Sequence, residues 1–143
     1  WNRFDCATPV GIAYQSHLYL RHLQVKHGVA EMMKSTVADV LKKIPGKASA
    51  EWPMGEPFAQ AFAHGSMSVE VYAPKGTDIQ TPHDQDELYF IYSGHGEFVV
   101  AGERHKFEPG MVFFVAAHVE HRFENFSPDF ITWVVFWGPK GGE

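Results

Sequence analysis

Three side chains in this sequence have the chemistry to share one ion: His83, Glu87 and His121. Two imidazoles and one carboxylate make the facial triad typical of non-haem iron, a set that leaves coordination positions open. Thr81, His83, Gln85 and Glu87 are evenly spaced, so on an extended segment all four side chains point to one face. His121 would arrive from a distant strand. The expected cofactor is one divalent ion, Fe(II) first, with Zn, Mn or Ni as alternatives that would act as Lewis acids. Read alone, the stretch 81–87 is a polar, acidic turn between two strands, since short clusters of His and acid are common on surfaces.

The neighbours of the triad have secondary readings. A bulge would reverse side-chain parity and exchange Glu87 with Asp84, Gln85 or Asp86, with Gln85 the first reserve ligand. His118 falls either at a pocket mouth or in an exposed turn. Asn125 shares parity with His121 and would orient a ligand or tie down backbone. The parity of Glu87 turns Tyr89 and Ile91 inward, and that of His121 turns Phe123 inward. Together they would give an apolar, aromatic pocket with Tyr89 as proton donor, or else the filled core of a small barrel.

These residues need a frame, and the sequence after Phe58 supplies one. Short runs rich in aromatic and β-branched residues alternate with Gly, Pro, Asp and Ser turns, as strands do. They cover 58–63, 67–73, 87–92, 97–101, 104–107, 111–115, 121–126 and 130–137. Eight short strands without intervening helices predict an all-β jelly roll or small barrel. Residues 67–73 alternate Met, Val, Val and Ala with Ser, Glu and Tyr, as a strand with one buried face should. The run 130–137 is apolar on both faces, which predicts either a central strand or one covered by a second copy in a homodimer. Upstream, Met33, Val37, Val40, Leu41 and Ile44 have helical spacing, with Ser35 or Thr36 as cap and Pro45-Gly46 as stop. One helix is expected near 35–44 within an N-terminal extension of residues 1–46, with the barrel spanning 47–143.

The spacing of two motifs in this frame resembles the cupin superfamily. Its first motif runs Gly, His-x-His, three or four residues, Glu, six residues, Gly. Here His83 stands three residues before Glu87, and six residues separate Glu87 from Gly94. Its second motif runs Gly, five residues, Pro-x-Gly, two residues, His, three residues, Asn. Gly110, Ala116, His118, His121 and Asn125 fill those places. The resemblance spans about residues 58–137 and implies a cupin-type jelly-roll barrel with a metal held by His83, Glu87 and His121. Thr81 stands where the family's first His would be, Gly76 lies one residue closer to it than the pattern asks, and Ala116 and His118 replace the Pro and Gly. The implied site therefore has three protein ligands.

Composition narrows the partners. The 143 residues suit one domain, and 45% hydrophobic content is too high for disorder. A net charge of −5 with scattered basic residues gives no stripe for a phosphate backbone, so no nucleic-acid partner is expected. No apolar run is long enough to span a bilayer, and the opening residues lack a signal-peptide pattern, so the expectation is a cytoplasmic chain without membrane contact. Cys6 is the only cysteine, which rules out an intramolecular disulfide. His17, His22 and His27 recur every five residues, a period that gathers them on no helical or strand face. The functional expectation is a metal-dependent enzyme, dioxygenase-like, acting on a small organic molecule. The alternatives are an isomerase or lyase using Zn, Mn or Ni, and a non-enzymatic cupin that binds or senses a small ligand.

Overall fold

The structure, a computed structural model, describes residues 32–142. Cys6, His17, His22 and His27 lie outside the described residues. The strands are β1 (Phe58–His64), β2 (Met67–Tyr72), β3 (Asp86–Ser93), β4 (Gly96–Val100), β5 (Glu103–Phe107), β6 (Val112–Val115), β7 (His121–Glu124) and β8 (Ile131–Trp137). All eight expected strands are present. The largest difference is in β7, which ends at Glu124 because Asn125 turns the chain with a φ of 50°.

The strands form two antiparallel sheets, one ordered β1-β2-β8-β3-β6 and the other β5-β4-β7. Tyr89, Phe98, Phe107, Phe123 and Phe130 make one buried cluster drawn from both sheets. Phe98 stacks on Phe123 at 4.3 Å and 18°. Each such ring, fully buried, contributes roughly 1.5–3 kcal/mol. Gly94 closes the β3–β4 turn with a φ of +83°, and a Cβ there would sit 2.5 Å from the Phe130 Cα. Only glycine suits both the left-handed backbone and the close approach.

Three expectations are refined here. The two-sided apolarity of β8 belongs to a strand between β2 and β3. Its outward Ile131 and Trp133 pack with Val37 and Val40 of a helix, α1 (Val37–Leu41). A central strand covered by the chain's own helix needs no second copy to hide it. The helix is also shorter than the expected 35–44. The Thr36 hydroxyl caps it by accepting from Asp39 N at 3.2 Å, but it stops at Leu41. From Met32 onward the chain is one compact unit, helix included. On β2, Val71 packs under the helix, whereas Tyr72 joins the barrel core and Glu70 lines a cavity. The polar set of that strand is therefore its inward face. No helix among the described residues is long and apolar enough to cross a membrane.

Candidate metal centre

β3 begins at Asp86, so residues 81–85 form a loop and do not continue the strand. His83 reaches back from this loop to Glu87, the second residue of β3, with Nδ1 and Oε1 2.8 Å apart. His121 opens β7 on the other sheet. His83, Glu87 and His121 each offer one ligand atom, and these atoms lie within 4.8 Å of one another. Glu87 is 0% exposed and His121 2%, while His83 is half-buried.

The polar surroundings suit a cation. His121 Nδ1 lies 2.8 Å from the Val119 carbonyl, and donating there leaves the Nε2 lone pair free to face the site. The Tyr89 hydroxyl donates to Glu87 Oε2 at 2.5 Å, lies 2.8 Å from His121 Nε2, and reaches Gln80 Oε1 at 3.2 Å. One hydroxyl proton thus faces three acceptors. A carboxylate and a lone pair with so few protons to share are what a divalent ion would satisfy. Burial works against a charged His83, but the hydrogen bond to Glu87 and its negative charge outweigh that, and the pKa of the ring is raised. Burial first, then the charge of Glu87, push the Tyr89 phenol well above its ordinary value, so it is a neutral O–H.

The loop carrying His83 is pinned from beneath. Asp78, buried, accepts from the Tyr72 hydroxyl at 2.5 Å, from Gln80 N at 2.9 Å, from Gln80 Nε2 at 2.8 Å and from Phe123 N at 2.7 Å. Because Gln80 gives its Nε2 to Asp78, its Oε1 faces Tyr89. On the other side His118 N donates to the His83 carbonyl at 2.8 Å, and Ala117 N to Asp86 Oδ1 at 2.9 Å.

The other residues singled out in the sequence are spread around this centre. Thr81 lines the cavity beside His83. Gln85 turns away, its Nε2 donating to the carbonyls of Ser66 and Gly138 at 3.0 and 2.8 Å, so it latches the loop and does not join the triad. Asp84 and the exposed His118 face each other at 3.8 Å. Asn125 donates to Glu97 Oε2 at 2.7 Å, which ties down the β7 end. Ile91 and Phe123 sit in the buried core cluster, not in the wall of the cavity over His83, and Phe98, Phe107 and Phe130 pack around the Phe123 ring. Tyr89 is at the site. Gln80, Asp78 and Glu70 were not singled out in the sequence. Glu70 alone left a signal there, a carboxylate in the alternation of β2.

A two-sheet antiparallel barrel that gathers two histidines and a buried glutamate defines a small β-barrel with a candidate metal centre. A family model for the cupin domain matches residues 68–137. An uncharacterized protein of Streptomyces coelicolor is 39% identical over 85 residues, which are 58% of this chain and 81% of that protein. The chain belongs to the cupin superfamily. Among solved structures, KdgF from Halomonas sp. is similar with a TM-score of 0.51 at 16% identity, over 58% of this chain and 78% of that one. The DMSP lyase DddQ from Ruegeria pomeroyi is similar with a TM-score of 0.53 at 20% identity, over 75% of this chain and 56% of that one.

Proposed function

We propose that this cupin is a metal-dependent enzyme that moves a proton on a small organic molecule, in the manner of a lyase or isomerase. The observation that carries it is the Tyr89 hydroxyl, buried and hydrogen-bonded to Glu87, within 2.8 Å of His121 Nε2. His83, Glu87 and His121 would hold the ion, which when bound would polarise a substrate oxygen and acidify the neighbouring C–H. Tyr89, a neutral O–H, is placed to give a proton to the substrate, and Gln80 Oε1 to accept from its hydroxyl while Glu87 and His121 are engaged. The cavity above His83, about 370 Å³, has the volume of a small-molecule site.

A second reading is a dioxygenase using Fe(II), favoured by the two-histidine, one-carboxylate composition of the donor set. Incubating metal-loaded protein with small carbonyl and carboxylate compounds in D2O, with NMR detection, separates the two. Deuterium uptake at carbon that disappears in Tyr89→Phe supports proton transfer. Oxygen consumption without exchange supports the second reading, and neither signal leaves a binding or sensing cupin.

Homodimer formation also belongs to this proposal, with a different surface from β8. Phe90, Tyr92, Val112 and Phe114 are exposed on neighbouring strands β3 and β6, and β6 is an edge strand. An apolar edge of this kind invites association. Cytoplasmic residence, where reducing conditions keep a lone cysteine as a thiol, completes the reading.

A further inference from the structure

The cavity over His83 has a wall whose chemistry the metal reading does not use. Trp52 and Phe58 meet edge to face at 5.8 Å and 83°, and both line it together with Tyr72 and Phe136. Glu70 and Glu51 supply the charge, and no lysine or arginine lines this cavity. Glu70 is half-buried, and its one direct partner is the Ser68 hydroxyl at a long 3.5 Å. Among the described residues it forms no ion pair with a lysine or arginine. Burial holds its carboxyl above the ordinary range, against the pull of Ser68 and His83. A partly desolvated carboxylate beside aromatic faces is a poor host for an anion and a good one for a desolvated cation.

We propose that this cavity selects a small organic cation, its ammonium or other onium group seated against Trp52, Phe58 and Tyr72 and neutralised by Glu70. The substrate class is then a compact molecule with a cationic head and, at its other end, a donor for the ion near His83. The assignment of that second end rests on the proposed function. Recognition of the cationic head does not.

Choline and its neutral carbon isostere, 3,3-dimethylbutan-1-ol, are the probes. Each is titrated into the full chain by calorimetry, once after chelator treatment and once after metal loading, with bound metal measured separately. Choline is expected to bind roughly tenfold more tightly than the isostere in both states. Glu70→Gln should abolish that preference, and Trp52→Leu should weaken choline more than the isostere. Thermal unfolding of each variant checks that the fold is kept. Equal affinity for the two probes, no choline binding at millimolar concentrations, or an unchanged preference in Glu70→Gln overturns the proposal. A chain that prefers choline yet takes up no metal keeps this assignment and sinks the metal-dependent reading instead.

Discussion

Tyr89→Phe is expected to make the metal-free protein less stable and its metal binding tighter. In the wild-type chain the phenol hydroxyl touches Glu87 Oε2 and His121 Nε2 at 2.5 and 2.8 Å, the two deeply buried atoms a metal ion would also need. Removing the oxygen keeps the ring, and with it the contacts to Phe98 and Phe123 at 5.2 and 5.3 Å between centroids. What is lost is the donor. A buried acceptor left unsatisfied costs about 1–3 kcal/mol, and the metal-free variant should bear at least that much. In the metal-loaded variant the ion meets both atoms, so most of the loss is absent. By linkage the difference appears as affinity, roughly five- to hundredfold tighter, since about 1.4 kcal/mol is a factor of ten. Chelator-competition titration with Zn or Mn gives the affinity, and thermal unfolding with and without the ion gives the two stabilities. The variant should show the lower melting temperature without metal and the larger upward shift with it. Affinity unchanged would mean that Tyr89 and the ion do not compete for the same lone pairs. Affinity reduced would mean that the phenol itself ligates the ion, and the role of Tyr89 as a neutral proton carrier would fall.

Three further outcomes are expected. His83→Ala and His121→Ala should each lose metal by elemental analysis while keeping a β-sheet circular dichroism spectrum, and His121→Ala should lose more stability, about 2–3 kcal/mol, because its ring is buried; full metal content in both would reject the triad. Glu70 has a folded-state pKa above its unfolded value, so its favourable contribution is present in acid and lost as pH rises through the folded pKa. Glu70→Gln should therefore melt a few degrees above the parent at pH 7, with the gap closing below pH 4.5, the ordinary value of the group; a variant no more stable at pH 7 would contradict the half-buried, weakly partnered carboxylate. Phe114→Lys, at a side chain 58% exposed on the edge strand, should convert a dimer into a monomer in light scattering at micromolar concentration, and a parent chain that is already monomeric would remove the dimer from the proposal.

The strands were legible because their information is local. Alternation, β-branching and turn residues mark a strand within its own six or eight residues, and β3 and β8 came out within one or two residues of the expected bounds. The face each strand buries was not legible in the same way. On β2 the apolar alternate face looks like the barrel side, yet Val71 packs under α1 and the inward face carries Glu70 and Tyr72. A barrel wall coated by a helix has two buried faces, and periodicity alone does not say which encloses a cavity. Likewise the double apolarity of β8 is consistent with a central strand and with a dimer edge, and only the pairing to β2 and β3 distinguishes them.

The same division runs through the site. His83, Glu87 and His121 come together as their spacing suggests, although a continuous strand face would put His83 on a pleat it does not occupy. It arrives from a loop instead, and this matters to how the site works. A side chain on a strand is held by the ladder, whereas one on a loop is held by whatever pins the loop. Here the pins are Asp78, four hydrogen bonds deep, with Gln80 passing from Asp78 to the Tyr89 hydroxyl, the Gln85 latch and His118 N on the His83 carbonyl. Nothing in the spacing of Asp78 announces this, because its partners, Tyr72 and Phe123, come from strands on opposite sheets. The loop that carries His83 is thus held by groups outside the triad, a buried carboxylate among them, through geometry that residue spacing does not encode.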